Sequence, residues 1–254
     1  LGLSCLVPLA HAEDDEIATD RPDFVESAQV VGKGRFQIET SVARETNRSN
    51  GIKTTVSATP TLFRFGITDT WEVRLETDGR LWAKAEGYGV TVRSNGWADT
   101  SLGLKWQMQK GDEKTAKPGM AWLFHADLDS GSSEFRGKGV RPSVRFVAEY
   151  ELANEMSLGL MPGIVFDKNE DGKRFTSGLF GVVLGKGWTE QWRSFIELSL
   201  QQITSAKNGG NVATFDVGTA YLINKHTQID FVVSRGLNKN TPDWNLGAGF
   251  SIKF

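Results

Sequence analysis

The sequence predicts an all-β chain: a transmembrane, antiparallel, up-and-down β-barrel of about twelve strands, closed by a C-terminal strand that ends in Phe254. Three observations lead there. The last eleven residues, WNLGAGFSIKF, put Trp244, Leu246, Ala248, Phe250, Ile252 and Phe254 on one face of a strand, because successive strand side chains alternate. The same alternation recurs along the chain, while helical periodicity is hard to find after residue 33. Charges line the face opposite each apolar row, and a packed soluble core would hold them only at a large desolvation cost. A barrel with an apolar outside and a polar lumen accommodates both rows.

Length and composition agree. The 254 residues include 28 Gly, 8 Trp and 15 Phe but only 7 Pro, which suits one large β domain. A net charge of -2 leaves no basic footprint, so no nucleic-acid partner is expected. No apolar run approaches the ~18 residues of a membrane helix. The mean hydropathy of -0.31 fits a membrane barrel, where only alternate residues meet lipid.

Three regions follow. Residues 1–12 read as the remnant of a secretory signal, apolar from Leu1 to Ala10 with Ala10-His11-Ala12 as a small-x-small cleavage site. Cys5, the single Cys, sits inside the apolar run, so no lipidation is expected, and cleavage after Ala12 removes thiol chemistry altogether. Residues 13–33 read as a periplasmic segment or a lumen plug, with Asp20, Arg21, Asp23 and Phe24 as the plug candidates and Arg21 meeting Glu72 or Glu76. Residues 34–254 form the barrel.

The strands are justified in turn by alternation. Strand 1, 34–44, sets Phe36, Ile38, Thr40 and Val42 on one face. Strand 2, 53–65, ends at the tight turn Gly66-Ile67-Thr68-Asp69. Strand 3, 70–77, opposes Trp71, Val73 and Leu75 to Glu72, Arg74 and Glu76, and a Gly-rich loop follows to Gly96. Strand 4, 98–109, opposes Leu102, Leu104, Trp106 and Met108 to Ser101, Lys105 and Gln107. Strand 5 is 120–128, and strand 6, 140–152, sets Val144, Phe146 and Tyr150 against Arg141, Arg145 and Glu149. Strand 7 is 156–166, and strand 8, 174–185, has ambiguous facing. Strand 9, 191–203, opposes Ile196 and Leu198 to Arg193 and Glu197, and strand 10, 211–223, opposes Phe215 and Val217 to Asp216. Strand 11, 227–237, opposes Ile229 and Phe231 to Asp230, and strand 12 is the C-terminal strand.

An even count is what a single-chain bacterial barrel requires. Short turns near 66–69, 153–155, 186–190 and 224–226 alternate with longer loops near 45–52, 78–97, 129–139, 167–173, 204–210 and 238–243. Short periplasmic turns and longer outer loops are expected of such barrels, although the 110–118 connection is long for a periplasmic turn. The tryptophans fall near strand ends, so Trp71, Trp106, Trp122, Trp192 and Trp244, with Phe254, are the expected membrane girdles.

The lumen candidates are the charged residues opposite the apolar rows. Arg35, Arg74, Arg141, Arg145 and Arg193 would make a basic stripe, and Glu39, Glu72, Glu76, Glu149 and Glu197 its acidic counterpart. Lys105, His125, Asp127, Asp216 and Asp230 complete the set.

Several segments together resemble the outer-membrane family named after the meta-pathway of phenol degradation, a family of candidate transporters. They are Thr19-Asp20-Arg21-Pro22-Asp23-Phe24 with Gly34-Arg35-Phe36-Gln37-Ile38-Glu39, then Phe65-Gly66-Ile67-Thr68-Asp69 with Trp71-Glu72-Val73-Arg74. Asp99-Thr100 with Leu102-Gly103-Leu104-Lys105 follows, then Asp216-Val217-Gly218 through Tyr221, Gln228-Ile229-Asp230, Gly236-Leu237-Asn238 and Pro242-Asp243-Trp244. The ordered pieces span residues 19–254, with 110–190 the least diagnostic part. The resemblance implies a barrel and a link to small aromatic compounds, and it carries over no catalytic residue.

The expected function is an outer-membrane channel or transporter of a Gram-negative bacterium, exported through the periplasm. It would be passive and selective, with aromatic or apolar small molecules as cargo, and not an enzyme. Twelve strands enclose a narrower lumen than sixteen. Expected partners are outer-membrane lipid and lipopolysaccharide, the barrel-assembly machinery through the C-terminal strand, and the solute, with the protein a monomer. No cofactor or metal is expected: no Gly-x4-Gly-Lys-Ser/Thr occurs, and the calcium-like run from Asp167 lacks its closing acid because Gly178 stands there. Two rivals remain. One is a lipid-active barrel enzyme in which Asp127 orients His125 toward Ser143 or Ser101. The other is a structural or adhesive barrel acting through 78–96 and the other outer loops.

Overall fold

A computed structural model describes residues 16–169 and 171–254. Residues 1–15, with the expected signal remnant, Cys5 and His11, lie outside the described residues. Alternation along the chain produces fifteen strand segments: β1 (Phe36–Ser49), β2 (Ile52–Ala58), β3 (Thr61–Gly66), β4 (Trp71–Thr77), β5 (Arg80–Gly87), β6 (Val90–Trp97), β7 (Thr100–Gln109), β8 (Gly119–Asp127), β9 (Arg141–Leu152), β10 (Met156–Lys168), β11 (Arg174–Gly187), β12 (Trp192–Ile203), β13 (Val212–Asn224), β14 (Thr227–Gly236) and β15 (Trp244–Lys253). Every pairing is antiparallel, and β15 pairs with β1 to close the sheet. Three pairs of segments are single staves with an interruption: β2 runs into β3, β4 into β5 and β6 into β7. The barrel therefore has the expected twelve staves and closes on its C-terminal strand, where Phe254 stacks on Phe36 at 6.3 Å.

Two expected loops are strands. The 45–52 stretch belongs to a hairpin in which β1 continues to Ser49 and turns at Asn50-Gly51, with φ of 50° and 74°. The 78–97 stretch is the hairpin β5–β6, turning at Tyr88-Gly89 with φ of 51° and 75°. Two consecutive positive φ values mark the turn type whose twist matches that of the flanking strands. Both hairpins extend past the lipid-facing part of the barrel; alternation is weak in 45–52, and in β5 it persists with its polarity reversed, so neither continues the lipid-facing row from which the strands are read.

The molecule is inside-out. Val73, Leu75, Leu102, Leu104, Phe215, Val217, Phe231 and Phe250 are exposed on the outer face, while Glu39, Arg64, Glu72 and Lys105 are wholly buried. A soluble fold would reverse both sets. The facing of β11 is settled: Ser177, Leu179 and Val183 point inward and Phe180 outward. Its ambiguity has a cause, because Leu179 and Val183 belong to an apolar patch inside the barrel that also holds Ala121, Leu123, Val147, Met161 and Phe195. The lumen thus has a charged wall on β1, β3, β4 and β7, and on β8 to β12 a wall that carries the apolar patch with Arg145, Glu149, Arg193 and Glu197 interspersed.

At the end where the termini of the barrel meet, Gly66 lies against Gly32: a Cβ at Gly66 would sit 1.7 Å from the Gly32 carbonyl oxygen. That obstacle is backbone, so the neighbour cannot simply rotate away. Gly66→Ala should destabilise the refolded barrel by about 1–3 kcal/mol, checked by urea unfolding in micelles; an unchanged midpoint would contradict this packing.

Candidate functional site

Residues 16–33 form no helix or strand, yet they run inside the barrel. A buried backbone must find partners for its N–H and C=O groups, and this segment has no sheet to supply them. The wall supplies them instead, sorted by charge. Glutamates accept the amides: Glu39 takes the N–H of Asp20 at 2.9 Å, Glu149 that of Ala28 at 2.7 Å and Glu72 that of Val31 at 2.9 Å. Glu197 takes two, from Phe24 and Val25, both at 2.8 Å. Cations serve the carbonyls. Arg64 donates to Ala18 O at 2.8 Å and Gln29 O at 2.7 Å, Lys105 to Ser27 O at 2.8 Å, and Arg193 to Arg21 O at 3.2 Å.

Asp20 is the centre of the segment. Its carboxylate receives Arg74 at 2.6 Å, Lys105 at 2.8 and 2.9 Å and the Ser27 amide at 2.9 Å, with Arg64 at 3.4 Å. Glu26 adds a second anchor, bridging Arg74 and Arg145 at 2.6 Å each. Glu39 and Glu72 each pair with Arg64 at 2.9 Å, so acids and bases of the wall also bind one another. On the other side Val25 and Ala28 join the apolar wall. Glycines clear the room they need: a Cβ at Gly181 would stand 2.6 Å from Val25, and one at Gly249 2.9 Å from the Arg21 side chain.

The expected stripes are therefore not stripes. Glu39, Glu72, Glu149, Glu197, Arg74, Lys105, Arg145 and Arg193 converge on the segment 16–33. Arg21 meets Asp230 at 3.4 Å rather than Glu72 or Glu76, because Arg64 and Arg74 already occupy Glu72. Glu76, Asp23 and Phe24 line a cavity of about 240 Å³ on the outer side of the segment. Arg35 lies at the opposite rim beside a cavity of about 540 Å³, which shares Glu16, Gln29 and Glu149 with another of about 570 Å³. Arg141 sits above, paired with Asp99 at 2.7 Å, Asp167 at 3.7 Å and Asp127 at 4.0 Å. Asp216 accepts the Thr214 hydroxyl on its own strand. His125 is buried, but neither ring nitrogen has a hydrogen-bond partner among the described residues, so Asp127, Ser101 and Ser143 do not build a relay with it.

Arg64 and Glu26 were not among the sequence candidates. Arg64 stands between Phe63 and Phe65, and the alternation used elsewhere marks it as inward. Glu26 lies in a segment without periodicity, and nothing in the sequence singles it out.

The girdle residues lie on the outer face. Trp71 stacks on Trp106 at 5.5 Å, Trp122 packs on Phe146 at 4.9 Å, and Trp192 lies 5.9 Å from Trp188, all toward the short-turn end. Trp244 lies toward the other end, with the Arg235 guanidinium 4.9 Å from its ring.

Replacing Asp20 with Ala leaves Lys105 buried without its ion-pair partner, while Arg64 keeps Glu39 and Glu72 and Arg74 keeps Glu26 and Glu72. Asp20→Ala should weaken docking of residues 16–33 by about 3–5 kcal/mol. Hydrogen exchange at the Ala28 and Val31 amides reads this, and protection equal to the parent would show that the segment is held some other way.

Comparison with known proteins adds three findings. The family described as "Putative MetA-pathway of phenol degradation" matches residues 19–254. No curated protein matches the chain. Among solved structures, an outer membrane channel from Pseudomonas putida F1 is similar at 12% identity and TM-score 0.66, over 92% of this chain and 99% of that one. The KdgM porin in complex with disordered oligogalacturonate is similar at 11% identity and TM-score 0.54, over 86% and 99%. The transport unit of the autotransporter AIDA-I from Escherichia coli is similar at 12% identity and TM-score 0.51, over 87% and 90%. At such identities the likeness is one of fold.

Proposed function

The chain belongs to the MetA-pathway phenol-degradation family, and from that premise we propose that it is a passive, selective outer-membrane channel for small aromatic or apolar molecules, gated by residues 16–33. The observation that carries the reading is the division of the lumen: cavities lie on both sides of a segment held by hydrogen bonds and ion pairs rather than by a sheet. A segment so held can part from the wall without unfolding the barrel. The side it shares with Leu123, Val147, Met161 and Leu179 is apolar, which favours an apolar solute over an ionic one along that route.

Placement in the outer membrane follows from the apolar outer face, with the short turns toward the periplasm. Export through the periplasm, a monomeric state and engagement of the assembly machinery by β15 belong to the same proposal. So does the catalytically inert lumen, in which no group activates His125 among the described residues.

Single-channel recording in a planar bilayer tests it. The parent protein should show small discrete openings that small aromatic acids block. Deleting Asp14–Ala28 should raise conductance several-fold, since an unobstructed lumen of this size conducts. If the deletion variant does not refold, Asp20→Ala should still lengthen the openings. Unchanged conductance in both would sink the gate, and silence from every folded form would sink the channel.

A further inference from the structure

Above the lipid-facing part of the barrel, the staves β1–β2 and β5–β6 continue as a four-stranded sheet whose faces are reversed in polarity. The reversal starts at the interruptions: Asp78 and Gly79 separate β4 from β5, and the register of β5 on β2 is shifted by one residue relative to that of β4 on β3. Such a shift turns every following side chain to the other face. Residues directly opposite in a ladder share a face, so the outer face can be read from the register. Trp244 opposes Thr46, Thr46 opposes Thr55, Thr55 opposes Lys84 and Lys84 opposes Arg93. In the next row Arg48 opposes Lys53 and Lys53 opposes Glu86. Below them Ser57 opposes Trp82, and Arg80 opposes Trp97.

Two of these pairings set like charges against each other, Arg48 with Lys53 and Lys84 with Arg93. Directly opposed like charges destabilise a sheet. Glu86 offsets part of this through Lys84 at 2.6 Å. That hydrogen bond, with Lys53 and Arg93 behind it, holds the Glu86 carboxyl below its usual range. Glu86 is shared among Lys84, Lys53 and Arg93, and Arg48, Lys53 and Arg93 make no ion pair within 4.0 Å among the described residues. Lys84 and Arg93 stand in the row of Trp244 and just above Trp82 and Trp97, with Arg48 and Lys53 one row higher; such aromatics mark the level of the head groups.

We propose that this face binds the phosphates of lipid A, the phosphorylated glycolipid of the outer leaflet, with Arg48, Lys53, Lys84 and Arg93 as its ligands. The charge is complementary, the height is that of the glycolipid phosphates, and an anion between opposed cations relieves their repulsion. This assignment rests on the outer-membrane placement proposed above but not on the channel.

Native mass spectrometry of the refolded barrel in micelles tests it. The probes are diphosphoryl lipid A, the same lipid without phosphates, and inorganic phosphate. The parent should retain diphosphoryl lipid A in preference to the dephosphorylated form. R48S/K53S/K84S/R93S should bind it about tenfold more weakly or worse, while Lys207→Ser/Lys239→Ser, in other outer loops, should not. Heat-modifiability and an unchanged conductance would confirm the fold and separate this result from the fate of the channel. If the quadruple variant does not refold, Lys53→Ser/Arg93→Ser carries the same comparison. Equal binding by parent and variant, or full displacement by equimolar inorganic phosphate, would overturn the assignment.

Discussion

An irregular backbone inside a barrel has no ladder to satisfy it, and this constraint organises the interior. Glu39, Glu72, Glu149 and Glu197 exist at the lumen face as acceptors for amides, and Arg64, Lys105 and Arg193 as donors to carbonyls. The charges do not form an open selectivity stripe, because they hold the backbone and side chains of residues 16–33. Burial of each ion costs several kcal/mol, and each charge-assisted hydrogen bond contributes roughly 1.5–3 kcal/mol. With several such bonds per ion the two nearly cancel. The segment is therefore fixed in one geometry by direction more than by depth of binding, as a movable part should be.

The two walls divide the labour. On the charged wall, displacement of the segment would strand Lys105, whose partners Asp20, Ser27 and Gln29 all lie on it, unless water followed, while Arg64 and Arg74 would keep Glu72. On the apolar wall, Val25 and Ala28 join the cluster of Leu123, Val147 and Met161 through their side chains, while Glu197 and Glu149 accept their N–H groups at 2.8 and 2.7 Å. Parting there exposes apolar surface and frees the Glu149 and Glu197 carboxylates; on the channel reading proposed above, an apolar solute covers the apolar part of that surface as it enters. A hydrophilic solute would not. The same asymmetry that holds the segment thus favours one class of cargo and one side for its passage.

Much of this was legible in the sequence, for an identifiable reason. Where a strand meets lipid on one face and a polar lumen on the other, alternation is strong, so the twelve staves and inward residues such as Glu72, Arg74, Lys105 and Glu197 could be read directly. Alternation weakened at β11, because Leu179 and Val183 face an apolar patch inside the barrel. It was weak at 45–52 and reversed in β5, where the strands leave the bilayer, although Asn50-Gly51 is a turn signal that stood in the sequence. Pairing across the lumen was not legible at all. Arg21 meets Asp230 and Asp20 meets Arg74, partners 209 and 54 residues away that only barrel closure brings together.

The reversal of alternation outside the bilayer is itself informative. One register shift beside Asp78-Gly79 lets a continuous stave present Val73 and Leu75 outward below and Trp82 and Lys84 outward above. Without the shift, the inward apolar set of β5, Leu81, Ala83 and Ala85, would face the head groups, and Lys84 would face the mouth. With it, cations stand where the outer leaflet is anionic, and Val56, Ala83 and Val92 line the approach to the lumen. An apolar approach above an apolar wall is continuous in chemistry though not in space, since the charged anchors of Asp20 and Glu26 lie between them. On the gate proposed above, a solute drawn in by the first displaces the segment to reach the second, and residues 16–33 are the step that decides passage.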